Sequence, residues 1–278
     1  MKASKPLRKI FGRSETLKVI GRIPPVLRGL ISAKTWQDAT GNDNSRTSPA
    51  EAPNPLQQHF DSVVTGKGIW KWLHYFDIYQ RHFQRFIGQE VHVVEVGIYS
   101  GGSLDMWKEY FGPKCRVYGV DIEEACKAYE DERTRVFIGD QGSRKFWKQF
   151  RKQVPHFDIF IDDGGHLPEQ QIVTLEETVP YLAPGGVYLC EDIQGTHNPF
   201  AAYVRGLAMA LNNEILKDPA DFGGAAAVVR TSNFQRSIHS VHLYPYVAVI
   251  EKTRTPVNEL VSMKHGTLWK PFFDTVAK

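Results

Sequence analysis

The chain has 278 residues, of which 42% are hydrophobic and 23% charged, a composition that is ordinary for a globular protein. Its 34 basic and 31 acidic residues leave a formal charge of +3 and are spread along the chain, so nothing indicates a nucleic-acid partner. No apolar run approaches the roughly 20 residues that cross a bilayer, so we expect no transmembrane segment.

Residues 1–57 are predicted to form a basic N-terminal arm and a flexible linker. Between residues 2 and 34, lysine and arginine alternate with leucine, isoleucine and phenylalanine, as in an arm that touches an anionic membrane or a partner surface. Pro24 and Pro25 interrupt this pattern, which favours a solvated helical arm or a subunit contact, and we expect a homo-oligomer. Residues 38–57 are rich in Pro, Asn, Ser and Gly, which is typical of a linker.

The cellular location is predicted from the N-terminus and the cysteines. The N-terminus has no apolar run that ends in a small-residue cleavage site. Cys115, Cys126 and Cys190 have neither metal-ligand nor redox spacing, which fits a reducing compartment. We therefore expect a cytoplasmic protein.

Residues 58–90 are predicted to be a helical cover. Between Gly68 and Ile87, apolar and aromatic residues recur at steps of three and four, which indicates an amphipathic helix or a helix pair. We expect this segment to pack against the sheet that follows it.

Residues 91–255 are predicted to be an α/β core. Short β-branched strands alternate with helical stretches: strands at 91–96, 116–122, 135–140, 157–163 and 186–192, and helices at 103–111, 123–131, 143–154, 168–182 and 201–216. This alternation favours a parallel sheet with helices on both faces. Residues 238–252 predict two strands joined by a tight turn at Pro245, at the sheet edge. Residues 256–278 are predicted to be a C-terminal tail.

The carboxyl ends of the first three predicted strands carry residues suited to a nucleoside. In an open parallel sheet, ligands bind beyond these ends. Asp121 can accept both hydroxyls of a ribose, while Asp140 or Gln141 can meet the amine of an adenine. The expected cofactor-binding residues are Glu95, Gly97, Ser100, Gly101, Ser103, Asp121, Asp140, Gln141 and Asp162.

The glycine-rich loop after the first strand does not have the dinucleotide pattern. After Gly97 the next glycines are Gly101 and Gly102, which breaks the G-x-G-x-x-G spacing that holds a pyrophosphate. Glu95 suits the ammonium group of an amino acid better than a phosphate. A nucleoside that carries an amino acid is therefore favoured, although Glu95 or Asp121 taken singly can also be explained by helix capping or loop binding.

The fourth and fifth predicted strands each end in paired acids. Like charges that meet in one crevice are costly unless a cation neutralises them. Oxygen ligands in small number favour Mg²⁺, with Mn²⁺ as a second choice. We expect the metal ligands to be Asp163, Glu191 and Asp192.

His166 is the candidate general base. It follows Asp163 by three residues, and a neutral imidazole can accept a hydroxyl proton near neutral pH. Gly164, Gly165 and Pro168 around it also describe a helix start, so a capping role stays open. Asp163 and His166 are the predicted catalytic residues.

These motifs resemble those of the class I methyltransferases of the macrocin and mycinamicin type, which methylate sugar hydroxyls of antibiotics with the help of Mg²⁺. The likeness extends over residues 70–252 and rests on the aromatic segment, the EVGIYSGGS loop, IDDGGH, the ED pair and the C-terminal strands. It implies a Rossmann-like sheet of seven mostly parallel strands and S-adenosylmethionine as methyl donor. It also places Asp163, Glu191 and Asp192 on the metal positions and His166 on the base.

The sequence departs from that family in two places. Gly165 stands where the family is expected to have serine, which should matter little because the acids and His166 are present. The segment EDIQGTHNPF differs from the family's acceptor loop, so the acceptor is expected to differ.

The predicted function is an S-adenosylmethionine-dependent O-methyltransferase that acts on a metal-bound hydroxyl. The expected acceptor is a small molecule, a sugar on a glycosylated natural product. The main alternative is a metal-dependent hydrolase or hydroxylase, which would use the same acids. This alternative leaves Glu95, Asp121 and Asp140 unexplained. A nucleotide oxidoreductase is disfavoured because the chain lacks the dinucleotide-binding glycine pattern. A noncatalytic assembly partner is disfavoured because it would not need the metal and base residues.

Overall fold

The computed structural model describes residues 24–35, 53–212, 226–263 and 265–266. The chain divides into two compact units, residues 1–52 and residues 53–278. In the first unit the described segment is helix α1, Pro25–Thr35. The rest of the predicted basic arm and most of the predicted linker lie outside the described residues.

The second unit contains the α/β core. Its helices are α2 Pro55–Ser62, α3 Tyr75–Phe83, α4 Gly102–Phe111, α5 Arg144–Gln153, α6 Pro168–Thr178, α7 Pro199–Ala210 and α8 Asn233–Ser237. Short 3₁₀ helices cover Gln84–Phe86, Glu124–Tyr129 and Val179–Tyr181. Its strands are β1 Val91–Val96, β2 Cys115–Asp121, β3 Thr134–Ile138, β4 Phe157–Asp162, β5 Leu182–Cys190, β6 Ala226–Arg230, β7 Ile238–Tyr244, β8 Val247–Lys252 and β9 Glu259–Met263.

Seven strands form the main sheet in the order β3-β2-β1-β4-β5-β8-β7. The first five are parallel to their neighbours, whereas β8 is antiparallel to β5 and β7 is antiparallel to β8. From β1 the strands follow one another toward one edge of the sheet, through β2 to β3, and from β4 they continue toward the opposite edge, starting with β5. The direction of strand succession therefore reverses between β1 and β4, and a crevice opens there beyond the carboxyl ends of the strands. This arrangement confirms the predicted mostly parallel sheet of seven strands.

Two apolar cores lie on opposite faces of the sheet, because successive side chains of a strand point to opposite sides. Val93 belongs to the core under α2, α3 and α4, and its neighbour Val94 belongs to the core under α5, α6 and α7. In the first core the ring of Tyr79 meets the indole of Trp107 at 5.2 Å between centroids. The predicted placement of helices on both faces is therefore confirmed.

The aromatic cover is less helical than predicted. Helix α3 begins at Tyr75, and residues 63–74 form bends, a turn and chain without regular secondary structure. Lys71 and Trp72 in that stretch direct their side chains to the strand ends, where they bond to acids. These contacts fix the segment in a nonhelical path, which the apolar periodicity did not reveal.

Four further boundaries differ from the predictions. Residues 124–129 form a 3₁₀ helix in place of the longer predicted helix, and α2 begins at Pro55, inside the predicted linker. Helix α7 begins at Pro199 because the Asn198 side chain accepts a hydrogen bond from the Ala201 amide. The predicted tail contains β9, which pairs with β6 in a separate two-stranded sheet.

Among the described residues, the helices are all too short or too polar to cross a bilayer.

Candidate active site

A cavity of about 850 Å³ opens at the carboxyl ends of the parallel strands. Nine of the predicted site residues line it: Gly97, Ser103, Asp121, Asp140, Gln141, Asp163, His166, Glu191 and Asp192. Glu95, Ser100, Gly101 and Asp162 lie outside its lining. The structure therefore brings the predicted donor end and the predicted metal end into one space.

Gly97 allows the ends of β1 and β4 to approach each other. Its φ is +80°, and a Cβ at this position would lie 2.0 Å from the carbonyl oxygen of Asp163. The Gly97 amide donates to Val120 O at 2.8 Å, and the Asp163 amide donates to Val96 O at 3.1 Å. A larger residue would therefore both strain the backbone and push the Asp163 loop away.

Asp121 shapes the loop that follows β1. Its Oδ2 accepts hydrogen bonds from the amides of Ile98 and Tyr99 at 3.0 and 3.2 Å. Its Oδ1 accepts one from the Glu123 amide at 3.0 Å. Because a carboxylate offers about four acceptor positions, the loop contacts leave room for a ribose hydroxyl.

Gln141 and Asp162 support the site from beneath. Gln141 is buried, its Nε2 donates to Asp162 Oδ1 at 2.8 Å, and its Oε1 accepts from the Gly165 amide at 2.7 Å. Burial raises the pKa of Asp162 to about 6, although hydrogen bonds from Gln141 and Tyr188 oppose the shift. Asp140 is exposed and accepts from the Gly142 amide at 2.7 Å.

Lys71 lies at the centre of an acidic cluster formed by Glu95, Asp163 and Glu191, and it is not among the predicted site residues. Its side chain is 3% exposed, and its Nζ lies 2.6 Å from Asp163 Oδ2 and 3.2 Å from both carboxylate oxygens of Glu191. The same Nζ lies 3.4 Å from Glu95 Oε1. Lys71 therefore links the donor-side acid Glu95 to the two acids at the ends of β4 and β5.

The acids keep Lys71 protonated. Burial alone would lower the pKa of Lys71, but the charges of Asp163, Glu191 and Glu95 together hold it well above its ordinary value. Glu95 also accepts from Ser103 Oγ at 2.7 Å, and burial raises its pKa. One ammonium group therefore offsets only part of the negative charge that gathers here.

Aromatic side chains hold the acids that follow β5. The Tyr79 hydroxyl donates to Glu191 Oε1 at 2.6 Å. Asp192 Oδ1 accepts from the Tyr75 hydroxyl at 2.7 Å and from Trp72 Nε1 at 2.9 Å. The aromatic segment is therefore part of the site as well as of the core.

His166 faces Asp192 across the mouth of the crevice. Its Nε2 lies 3.6 Å from Asp192 Oδ2, and its side chain is 40% exposed. Both residues have positive φ values, +54° and +55°. Helix α6 begins at Pro168 with Leu167 at its N-cap, so His166 does not cap the helix.

Asp163 and Asp192 can share one metal ion, with His166 next to it. Each of the three offers a ligand atom, and these atoms lie within 4.8 Å of one another. The two carboxylates suit Mg²⁺ or Mn²⁺ with further water ligands, so Asp163 and Asp192 fit the predicted ion, and the imidazole of His166 is not needed as a ligand. Glu191 lies outside this group because Lys71 and Tyr79 engage its carboxylate. The ligand set of Asp163, Glu191 and Asp192 stays a prediction.

A second histidine group lies at the antiparallel edge of the sheet. His82 Nδ1 bonds to Glu251 Oε1 at 2.7 Å, and Arg85 donates to the same oxygen at 3.2 Å. Burial raises the pKa of Glu251, but His82 and Arg85 outweigh this effect and hold it at about 2. His82 Nε2 also bonds to Tyr244 Oη at 2.9 Å. These contacts join α3 to β7 and β8.

The fold and the site together define a class of protein. Residues 94–193 match the profile of a family described as a methyltransferase domain. This segment runs from β1 through β5 and carries the glycine loop and both acid pairs. The fold is that of the class I methyltransferases, as predicted.

The similar proteins are more specific. The chain is 32% identical over 206 residues to mycinamicin VI 2''-O-methyltransferase of Micromonospora griseorubida, which covers 66% of this chain and 49% of the relative. It is 31% identical over 205 residues to demethylmacrocin O-methyltransferase of Streptomyces fradiae, covering 66% and 50% of the two chains. These matches confirm the resemblance to the macrocin and mycinamicin type.

A solved structure agrees with these relatives. The MycE methyltransferase from the mycinamycin biosynthetic pathway, in complex with Mg and SAH, superposes with a TM-score of 0.59 at 28% identity. The superposition covers 74% of this chain and 56% of that one. The chain spans about half the length of the curated relatives it matches.

Proposed function

We propose that this chain is an S-adenosylmethionine-dependent O-methyltransferase that acts on a sugar hydroxyl of a glycosylated small molecule. One observation carries the proposal: the glycine loop with Asp121 and the group of Asp163, His166 and Asp192 line the same cavity. A donor and an acceptor hydroxyl can therefore be held next to each other, and such positioning is most of what methyl transfer requires. The relatives are named O-methyltransferases, which favours this reaction over a hydrolase or hydroxylase.

The donor fits the loop end of the cavity. A cavity of about 850 Å³ is within the range that holds a nucleoside cofactor together with part of an acceptor. The carboxylate of Asp121 lines this end and has acceptor capacity left for a ribose hydroxyl. We assign the other end, around Asp192, to the acceptor.

His166 is placed to take the hydroxyl proton. In the reaction the methyl group leaves the sulfonium sulfur for the acceptor oxygen, and the proton of that hydroxyl passes to the imidazole of His166. Asp192 lies 3.6 Å from His166 Nε2, so its charge stabilises the imidazolium that forms. Mg²⁺ held by Asp163 and Asp192 would supply a Lewis acid that makes the hydroxyl more acidic.

Trp72 and Tyr246 suit a sugar ring on the acceptor side. Their ring centroids lie 5.7 Å apart, and the two side chains are 50% and 42% exposed. The Trp72 indole also donates to Asp192, so a flat apolar face stands next to a hydrogen-bonding group. A pyranose has the same mixture of apolar face and polar rim.

Three measurements test the function. Calorimetric titration with S-adenosylhomocysteine should show binding, and labelled methyl from the donor should appear on a glycoside from an acceptor panel that also contains phenols. Asp163→Asn should abolish the Mg²⁺-stimulated turnover while donor binding remains. No binding of S-adenosylhomocysteine at high micromolar concentration would refute a methyltransferase, and full turnover in EDTA would refute the metal.

We also propose that the protein works in the cytoplasm as a homo-oligomer. The support is the basic and apolar alternation of residues 2–34 for the oligomer, and three cysteines without metal-ligand or redox spacing for the compartment. Light scattering of the full chain after size exclusion should give a mass above 31.6 kDa, and a monomer mass would refute the oligomer.

A further inference from the structure

Lys71 occupies an unusual place for a lysine. Its side chain is almost wholly buried, yet its Nζ contacts three carboxylates, those of Glu95, Asp163 and Glu191. Lysine is rarely buried unless it is paired, so this residue is retained here by the acids. Lys67, four residues earlier, shows the ordinary situation: its Nζ pairs with Asp105 at 2.9 Å and its side chain is 38% exposed.

Asp163 belongs to two groups at once. Its Oδ2 lies 2.6 Å from Lys71 Nζ, and its carboxylate also offers a ligand atom within 4.8 Å of those of His166 and Asp192. A divalent ion sits about 2.1 Å from a carboxylate oxygen. An ion on Asp163 would therefore lie within a few ångströms of the ammonium group, where like charges repel strongly.

Glu191 is held away from the metal group by the same lysine. Both of its carboxylate oxygens lie 3.2 Å from Lys71 Nζ, and Tyr79 donates to one of them. Lys71 stands on a flexible four-carbon stem, so its ammonium group can withdraw without a movement of the backbone. Its withdrawal would free Glu191 as well as the second oxygen of Asp163.

We propose that Lys71 is a built-in competitor of the divalent cation for the carboxylates of Asp163 and Glu191. This inference rests on the proposed function, because it concerns the metal of that site. The ammonium group offsets part of the charge of the acids when the ion is absent, which lets the cluster stay folded without metal. It also lowers the affinity of the site, because the ion must displace it. Lys71 is thus a positioning residue that sets the metal affinity.

Binding of Mn²⁺ to the full chain, without donor, tests the competition. The free ion is followed by electron paramagnetic resonance, so the readout does not depend on activity. Lys71→Met keeps the length of the stem but removes the charge, and we expect it to bind Mn²⁺ at least about tenfold more tightly than the wild type. Lys71→Arg should stay near the wild type. Lys67→Met is the matched control and should change the affinity by less than about twofold, because Lys67 pairs outside the cluster.

Two checks keep the test decisive if Lys71→Met folds poorly. Lys71→Gln is the second variant, and circular dichroism with thermal melts shows which variants are folded. In the wild type, crystals soaked with Mn²⁺ should show Lys71 Nζ withdrawn from Asp163. Unchanged or weaker Mn²⁺ binding by a folded variant, or an Nζ still 2.6 Å from Asp163 Oδ2 beside the bound ion, would overturn the proposal.

The outcomes separate this inference from the proposed function. If the chain binds no S-adenosylhomocysteine but Lys71→Met binds Mn²⁺ more tightly, the competition stands and the methyltransferase falls. If the wild type binds both ligands and Lys71→Met binds Mn²⁺ no better, the function stands and the competition falls. If neither protein binds Mn²⁺ but S-adenosylhomocysteine still binds, the metal and the competition fall and donor binding stands.

Discussion

Replacing Tyr79 by phenylalanine removes a single oxygen from the centre of the molecule. The Tyr79 side chain is fully buried, and its hydroxyl donates to Glu191 Oε1 at 2.6 Å. Burial and the charge of Glu191 raise the pKa of Tyr79 well above its ordinary value, so the hydroxyl keeps its proton at neutral pH. In the variant the Glu191 carboxylate, which is 1% exposed, loses this donor and keeps Lys71.

The expected loss of unfolding free energy is about 2 kcal/mol. A hydrogen bond to a charged group contributes roughly 1.5–3 kcal/mol. The packing should change little, because the phenyl ring can keep the contacts with Trp107 and Phe83, whose ring centroids lie 5.2 and 5.8 Å away. For a protein of this size the loss corresponds to a fall in Tm of about 4–8 °C.

Tyr110→Phe is the matched control. The Tyr110 hydroxyl donates to Gln80 Oε1 at 2.7 Å, and Tyr110 is 8% exposed, so the same atom is removed from a neutral acceptor. This variant should lose only about 1 kcal/mol. Urea unfolding of both variants at neutral pH measures the two losses. If Tyr79→Phe costs no more than Tyr110→Phe, Glu191 does not depend on a charge-assisted hydrogen bond from Tyr79.

Four further substitutions test contacts at the site and at the sheet edge. Gly97→Ala should prevent donor binding and destabilise the fold, because the new Cβ meets the carbonyl oxygen of Asp163 at 2.0 Å; calorimetry with S-adenosylhomocysteine checks it, and normal affinity would contradict it. The folded-state pKa of Glu251 is about 2, against an ordinary value of 4.5. The ionised carboxylate therefore stabilises the fold by about 3 kcal/mol at pH values above 4.5, and this stabilisation is lost as the pH falls toward 2. Glu251→Gln should therefore be less stable than the wild type at about pH 6 and closer to it at about pH 3, and a constant difference in urea unfolding would contradict this. Trp72→Ala should raise KM for a glycoside severalfold, Tyr246→Ala should do the same, and donor affinity should not change; an unchanged KM in both variants would contradict a sugar-stacking role.

The sheet and the position of the site were predictable because both follow from local patterns. Short apolar, β-branched runs marked the strands, and glycine or acidic residues immediately after them marked the carboxyl ends. Parallel strands place all their carboxyl ends at one edge, so Asp121, Asp163 and Asp192 had to come near each other. Local patterns do not fix the number of strands, and the expectation of seven rested on the resemblance to known methyltransferases.

Lys71 was not predicted because, in a segment with helical periodicity, the pattern does not show that one charged side chain points toward the interior. Its aromatic neighbours repeat at helical spacing, and the pattern alone does not show that the chain leaves the helix before Tyr75. A signal was nevertheless present. The acids at 163 and 191 required a cation, and a lysine inside an apolar stretch is one source of that charge.

The hydrogen-bond partners of the polar side chains could not be predicted from the sequence either. Gln141, which is predicted to contact a nucleoside, lines the cavity, and both ends of its amide also bond to Asp162 and to the Gly165 loop. Strands β6 and β9 are five residues each and about thirty residues apart, so their pairing depends on contacts that no local pattern encodes. Nonlocal pairing of this kind decides whether a polar residue binds a ligand or another side chain.

The positive φ values of His166 and Asp192 indicate that function, rather than stability, determines the backbone conformation in this part of the molecule. Both residues hold positive φ values, which cost a non-glycine residue about 1–3 kcal/mol unless the surroundings compensate. The surroundings do so unequally. Asp192 receives hydrogen bonds from Tyr75 and Trp72, whereas His166 is 40% exposed and has Asp192 at 3.6 Å as its charged neighbour. The proposed function explains this cost, because the position of His166 places its imidazole in the lining of the cavity, where the proposed reaction needs a proton acceptor.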